Sequence, residues 1–282
     1  MPVIKKIPYL NILLFGLTVL TTLVAGAHLN GVDLLSGPWA IIKAGAPFSA
    51  ALIIILLSHE LSHYFASRKH STLATLPYFI PAPPPVLIGT FGAVIKMKSP
   101  ILSRRALVDI GASGPITGFF FSLAACIIGL ANSHIVPKTS FSGISLGDSA
   151  LFHLLSRLIL GKTSSSQDVM LNPVAFAGWV GLFMTSLNLL PIGQLDGGHV
   201  MYAFVGRFQK ALSTVLVIAL ALLGIFYWKG WLLWAGLMMI IGLKHPPVYE
   251  WEAPLDPRRR YVGLFVLIIF ALTFTPNPFS LG

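Results

Sequence analysis

The sequence predicts an all-α polytopic membrane protein with about six to seven transmembrane helices and a re-entrant, β-like loop near residues 76–100. Three observations carry that prediction. Over 282 residues, 55% are hydrophobic and only 10% charged, against about 25% charged in an ordinary soluble domain; mean hydropathy is +0.82. Apolar runs recur along the whole length, and a hydrocarbon core about 30 Å thick takes about 20 such residues per helical crossing. Between them, TLPYFIPAPPPVLIGTFGAVIKMKSP at 75–100 has too many prolines for a regular helix.

The crossings are expected near 8–28, 47–67, 105–131, 173–191, 211–228, 229–244 and 261–276. The sixth is short, and Lys229-Gly230 suits a tight hairpin with the fifth. The first run follows Lys5 and Lys6, exceeds a signal-peptide core and lacks a cleavage site, so it reads as a retained helix. GVDLLSGPWAIIKAG, between the first two crossings, has no sustained period and is expected at the interface. In 75–100, VLIGTFGAVIKM has β-forming residues punctuated by Gly89 and Gly92 and reads as a short strand. Irregular backbone survives at membrane depth only when buried in protein or facing a wet cavity. The loop 132–172 contains SLGDSALFHLLSRLILGK, apolar at helical spacing and suited to lying on the membrane surface, with His153 and Arg157 solvated. The whole is expected to be one membrane-embedded domain, 1–282, with a catalytic core at about 47–210 and C-terminal helices at about 211–282.

The formal charge of +10 does not form one basic face, so nucleic acid is not expected as a partner, whereas the lipid bilayer is. Lys5, Lys6, Arg68, Lys69, Lys96, Lys98, Arg104, Arg105, Arg207, Lys210, Lys244 and Arg258 to Arg260 all fall on one side if there are seven crossings. By the positive-inside rule that side is the cytosol, so the N-terminus is expected to be cytosolic. Cys126, the single cysteine, lies in an apolar run and reads as packing. Asp109, four residues after Arg105, reads as its surface ion-pair partner, and Trp228, Trp231 and Trp234 as an aromatic belt. His70, His134 and His245 flank crossings and read as solvated.

His59-Glu60-Leu61-Ser62-His63 is HExxH. Residues i and i+4 leave a helix on one face about a turn apart, so two imidazoles can bind one metal ion. Glu60, beside His59, is placed to take a proton from water polarised by that ion, without being a ligand. The bland reading, polar glue between helices, does not require this order of residues. Catalytic zinc usually takes three protein ligands and leaves one position for water. Asp196 in NLLPIGQLDGGHVMY is the leading third ligand and His199 its rival; Asp196 equally suits a turn or helix cap before Gly197-Gly198.

HELSH at 59–63 together with NLLPIGQLDGG at 188–198 resembles the site-2 proteases, intramembrane zinc metalloproteases that couple HExxH on one membrane helix with N-x-x-P-x-x-x-x-D-G on a later one. Gly114-Pro115-Ile116-Thr117-Gly118 resembles that family's central G-x-x-x-(N/S/G) element, and the likeness spans about 47–210. It is closest to a compact form, without room here for an inserted PDZ domain or a C-terminal CBS pair. The resemblance implies one Zn²⁺ per chain held by His59, His63 and Asp196, with Glu60 activating water. It also implies a substrate-binding role for Asn188, whose alternative is a helix-to-helix hydrogen bond. The expected substrates are single-pass or other transmembrane proteins, cut within or next to their membrane segments, at a site toward the cytosol. The competing expectation is a polytopic ion transporter or channel that uses the same residues to bind a permeating ion; oligomeric state is left open.

Overall fold

A computed structural model describes residues 7–138, 144–164, 166–251 and 254–281. Lys5 and Lys6, used above for orientation, lie outside them. The chain folds mostly into helices. α1 (Tyr9–Leu29) and α2 (Pro38–Lys69) form an antiparallel pair, followed by an antiparallel hairpin of β1 (Tyr78–Pro81) and β2 (Thr90–Val94) and then α3 (Arg104–Leu130). On the far side come β3 (His134–Pro137), β4 (Ile144–Leu146), α4 (Ala150–Leu160) and β5 (Gln167–Met170). α5 (Pro173–Asn188), α6 (Asp196–Val205), α7 (Gln209–Phe226), α8 (Gly230–Ile241), α9 (Pro257–Thr273) and β6 (Phe279–Leu281) complete the order.

Among the described residues, four segments are long and apolar enough to cross a membrane: Tyr9–Leu29, Pro38–Lys69, Arg104–Leu130 and Asp196–Phe226, the last joining α6 and α7 through a single 3₁₀ turn. Of the further crossings expected, α9 has 17 residues, within the range that spans a bilayer, whereas α5 and α8 have 16 and 12, short of it. α2 begins earlier than its apolar run suggests. Gly37, at φ 91°, turns the chain, Pro38 opens the helix, and residues 38–46 continue into it instead of lying as an irregular interfacial segment.

The loop at 75–100 is a two-stranded ribbon, with Tyr78 paired to Val94 and Phe79 to Ala93, where the sequence suggested one strand. Its partner strand, YFIP, is too short for period-2 alternation to stand out. The ribbon buries one face, with Phe79 and Thr90, against the helices and leaves Phe91 and Val94 exposed; Asn11 Nδ2 of α1 donates to the Leu76 and Pro77 carbonyls at 3.0 and 2.8 Å. A Cβ on Gly89 would lie 2.4 Å from the Thr21 carbonyl oxygen, so the ribbon presses backbone to backbone on α1.

On the opposite face, α4 is the expected amphipathic helix, opened by Ser149, whose Oγ accepts from Phe152 N–H at 3.2 Å. Two further ribbons, β3–β5 and β4–β6, join it. The second ties the far end of the chain to the loop after α3 and lies on Trp179, Phe183 and Trp228. Trp231 is not a belt residue. It is fully buried, and its indole N–H donates to the Pro276 carbonyl at 2.7 Å.

α3 is the spine of the fold, touching α2, α5, α6 and α9. It can do so because its interfaces are small. A Cβ on Gly129 would meet Ala175 N at 2.0 Å, and one on Gly178 of α5 would meet the fully buried Cys126 Sγ at 2.7 Å. Such close approach is how helices associate where lipid removes the hydrophobic drive.

Candidate active site

α2 and α3 run antiparallel, so the histidines four residues apart on α2 meet glycines four residues apart on α3. A Cβ on Gly114 would lie 2.1 Å from His63 Nε2, and one on Gly118 would lie 2.9 Å from His59 Nδ1. The small-residue pattern GPITG therefore makes room for two imidazole rings inside the bundle. Thr117, between those glycines, accepts a hydrogen bond from Ser62 Oγ at 2.8 Å, fixing the register of the two helices.

α5 ends at Asn188, and the turn LLPIGQL folds back so tightly that side chains are excluded from its return. A Cβ on Gly197 would lie 2.0 Å from the Leu189 carbonyl, and one on Gly198 would lie 2.5 Å from that of Gly193, itself at φ 54°. Asp196 emerges at the first position of α6, and its carboxylate reaches His59 Nε2 at 3.3 Å and His63 Nε2 at 3.2 Å. The two Nε2 atoms are 3.1 Å apart. Among the described residues, His59, His63 and Asp196 are the one group of three with ligand atoms close enough to share an ion. His59, Glu60 and His63 are all buried.

The donor set fits a cation. His63 Nδ1 lies 2.8 Å from the Ile110 carbonyl, which can only accept, so Nδ1 carries the hydrogen and Nε2 presents a bare lone pair. With both rings neutral, at most one hydrogen, on His59 Nε2, is left to bridge two nitrogens and a carboxylate oxygen packed within 3.1–3.3 Å. Donors about 2.0–2.1 Å from a tetrahedral zinc ion are themselves roughly 3.3 Å apart. The His63 bond to Ile110 is also the second partner that metal-binding histidines usually keep.

Glu60 is buried beside His59, near both His63 and Asp196 and close to the backbone of Ile95, just after β2. The Asn188 amide lies 3.4 Å from His59 Nε2. His199, the rival third ligand, is bonded elsewhere, its Nδ1 being 2.6 Å from His245 Nε2. Sequence reasoning placed His245 in solvent, but it is 4% exposed. Asp109 does not pair with Arg105. It accepts from Arg259 and lies 2.8 Å from His70 Nε2, while Arg105 reaches the Pro254 carbonyl. A local i,i+4 rule gave way here to a tertiary arginine able to grip both carboxylate oxygens.

A family model described as Peptidase family M50 matches residues 47–227. Among curated proteins, the chain is 30% identical over 287 residues to "Probable zinc metalloprotease EGY2, chloroplastic" of Arabidopsis thaliana, covering 94% of this chain and 48% of that protein. It is 32% identical over 250 residues to "Probable zinc metalloprotease EGY1, chloroplastic" of the same plant, covering 83% of this chain and 43% of that one. To "Probable zinc metalloprotease EGY3, chloroplastic" of Oryza sativa subsp. indica it is 28% identical over 270 residues, covering 84% and 44% respectively. The chain thus spans less than half the length of these relatives. No solved structure matches it.

Proposed function

The chain belongs to peptidase family M50, and from that premise we propose that it is an intramembrane zinc metalloprotease, hydrolysing peptide bonds within or next to transmembrane segments of membrane proteins. The observation that carries the reading is the approach of His59 Nε2, His63 Nε2 and the Asp196 carboxylate to within 3.1–3.3 Å of one another inside an apolar bundle. Unpartnered polar groups at that depth are costly, and a single shared ion offsets the cost for all three.

In this reading one zinc ion is held by His59, His63 and Asp196. When bound, zinc supplies a Lewis acid that polarises a carbonyl and brings the pKa of water to about 7. Ile110 fixes the tautomer and orientation of His63 through its carbonyl. Glu60 takes a proton from the attacking water and returns it to the leaving amine, acting as base and then acid. Asn188, with its amide 3.4 Å from His59 Nε2, hydrogen-bonds the scissile carbonyl as charge develops on its oxygen.

A transmembrane substrate hides its carbonyls in its own helical bonds, so it must unwind before it can be cut. β2 pairs with β1 along one edge only, and the backbone of Ile95, just after it, lies near Glu60. An extended substrate added to the other edge replaces its lost helical bonds with intermolecular ones, and the edge delivers it beside the carboxylate. Proline substitutions at alternate positions of Val86 to Met97 then impair cleavage where they remove an edge donor; uniform tolerance would count against this docking mode.

The site lies toward the cytosol in this account. His63 is about 9 Å along the helix axis from Lys69 at 1.5 Å per residue, and Arg68, Lys69, Arg104, Arg105 and Arg259 gather at the same end of the bundle. The test is incubation of the purified chain in bilayers with single-pass substrates, the cut mapped by mass spectrometry. The reading requires cleavage that a zinc chelator abolishes; chelator-sensitive ion flux without cleavage would favour a transporter instead.

A further inference from the structure

α6 carries Asp196 at its first position, yet it has only 10 residues and no side-chain cap at its start. An isolated helix that short does not hold itself together, so its rotation and position are set by neighbours. His199 is one turn beyond Asp196 and on the same face. On the α3 side there is no slack: a Cβ on Gly111 would lie 2.9 Å from the Asp196 carbonyl oxygen and 2.9 Å from His199 Cβ.

The other restraint comes from the connection between α8 and α9. His245 Nδ1 is 2.6 Å from the Pro246 carbonyl, so that nitrogen carries the hydrogen and Nε2 of the neutral ring accepts. The His199 Nδ1–H must then be the donor in the 2.6 Å bond between the two rings. Burial shifts the His245 pKa down from its ordinary value, favouring the neutral acceptor. The ring is clamped in turn: Tyr202 stacks on it at 4.3 Å, Trp251 meets Tyr202 edge-on at 5.4 Å, and the Arg104 guanidinium lies 4.5 Å over Trp251. The same connection supports the turn before α6, where a Cβ on Gly193 would lie 2.3 Å from the Gly242 carbonyl oxygen.

We propose that His245 is a positioning residue: through its bond to His199 it holds α6 in the rotation that brings the Asp196 carboxylate to His59 and His63. The segment beyond residue 227, outside the family match, thereby becomes part of the site. This rests on the metalloprotease reading, since it takes Asp196 as a metal ligand.

The test measures zinc affinity of the purified full chain by competition with a chromophoric chelator, alongside its melting temperature. His245→Phe keeps a ring against Tyr202 but removes the acceptor, and about ten-fold weaker zinc binding is expected, as for other outer partners of metal ligands. His245→Gln restores an acceptor and is expected within about three-fold of wild type. His199→Phe is expected to match His245→Phe, and the double variant to lose no more than either, because both remove one interaction. Wild-type affinity in His245→Phe overturns the proposal, as does equal loss in the Phe and Gln variants, which would assign the effect to ring packing. A wild-type chain that binds no zinc removes the metalloprotease reading and this proposal with it.

Discussion

His63 is held from two sides, by the Ile110 carbonyl at Nδ1 and by the bare flank of Gly114, which leaves its Nε2 free to face Asp196. That arrangement makes Gly114→Ala a sharper perturbation than its size suggests. The added methyl would meet a ring that is already pinned, whereas at Gly118 the corresponding contact is 2.9 Å and the nitrogen concerned points away from Asp196. Gly114→Ala is therefore expected to lower bound zinc by about ten-fold or more, with helical content unchanged by circular dichroism. Gly118→Ala is expected to lose less, and the reverse ranking in metal analysis would contradict the packing argument. Glu60→Gln is expected to keep zinc and lose about 10²–10⁴-fold in cleavage rate, the worth of a positioned acid–base group. Wild-type turnover in that variant would remove Glu60 from the reaction. The histidine pair and Glu60 were legible in the sequence because HExxH is a local pattern whose geometry the helix alone supplies. Spacing alone left Asp196 with His199 as its rival, and only the family resemblance favoured Asp196, because both occupy one face of α6 and the partner that engages the second, His245, is 46 residues away.

At the scale of elements, the positions of the helices were readable and their ends less so. α1 and α3 appear where hydropathy put them, and α2 runs on nine residues earlier, from Pro38 where its apolar run was expected to open at 47. α8 has 12 residues and stops at Gly242, at φ 108°, and Trp231, counted in sequence as a membrane-surface residue, turns inward onto Phe183 and Phe274. Periodicity cannot distinguish a tryptophan at an interface from one in a core when both flank the same apolar run. The distinction is measurable. Trp231→Ala is expected to cost about 3–5 kcal/mol of stability as a fully buried aromatic, and Trp234→Ala much less, read as shifts in thermal unfolding of the detergent-solubilised chain. Similar shifts for both would return Trp231 to the surface. The ribbons β3–β5 and β4–β6 were missed for a related reason, since strands of three and four residues carry too little pattern to register.

Across the whole molecule, charge and chemistry share one end. Asp109 of α3, His70 after α2 and Arg259 of α9 form one network there, and α2 and α3 carry the site a turn or two deeper, while β3–β5, β4–β6 and α4 close the other end. If the cationic end faces the cytosol, as proposed above, a cysteine replacing Lys69 is expected to react with an impermeant maleimide only from the cytosolic side, and one replacing Lys162 only from the opposite side. Cys126, fully buried, is expected to stay silent in both. Labelling of both engineered sites from one side would invert or break the topology. The account as a whole stands on three side chains, from two helices far apart in sequence, holding one ion. The most direct test is zinc content and zinc-edge absorption spectroscopy of the purified chain beside His59→Ala, His63→Ala and Asp196→Ala. The account predicts one zinc per wild-type chain, with nitrogen and oxygen neighbours at about 2.0–2.2 Å and sharp loss of metal in each variant. Full zinc occupancy with an unaltered spectrum in Asp196→Ala would contradict it.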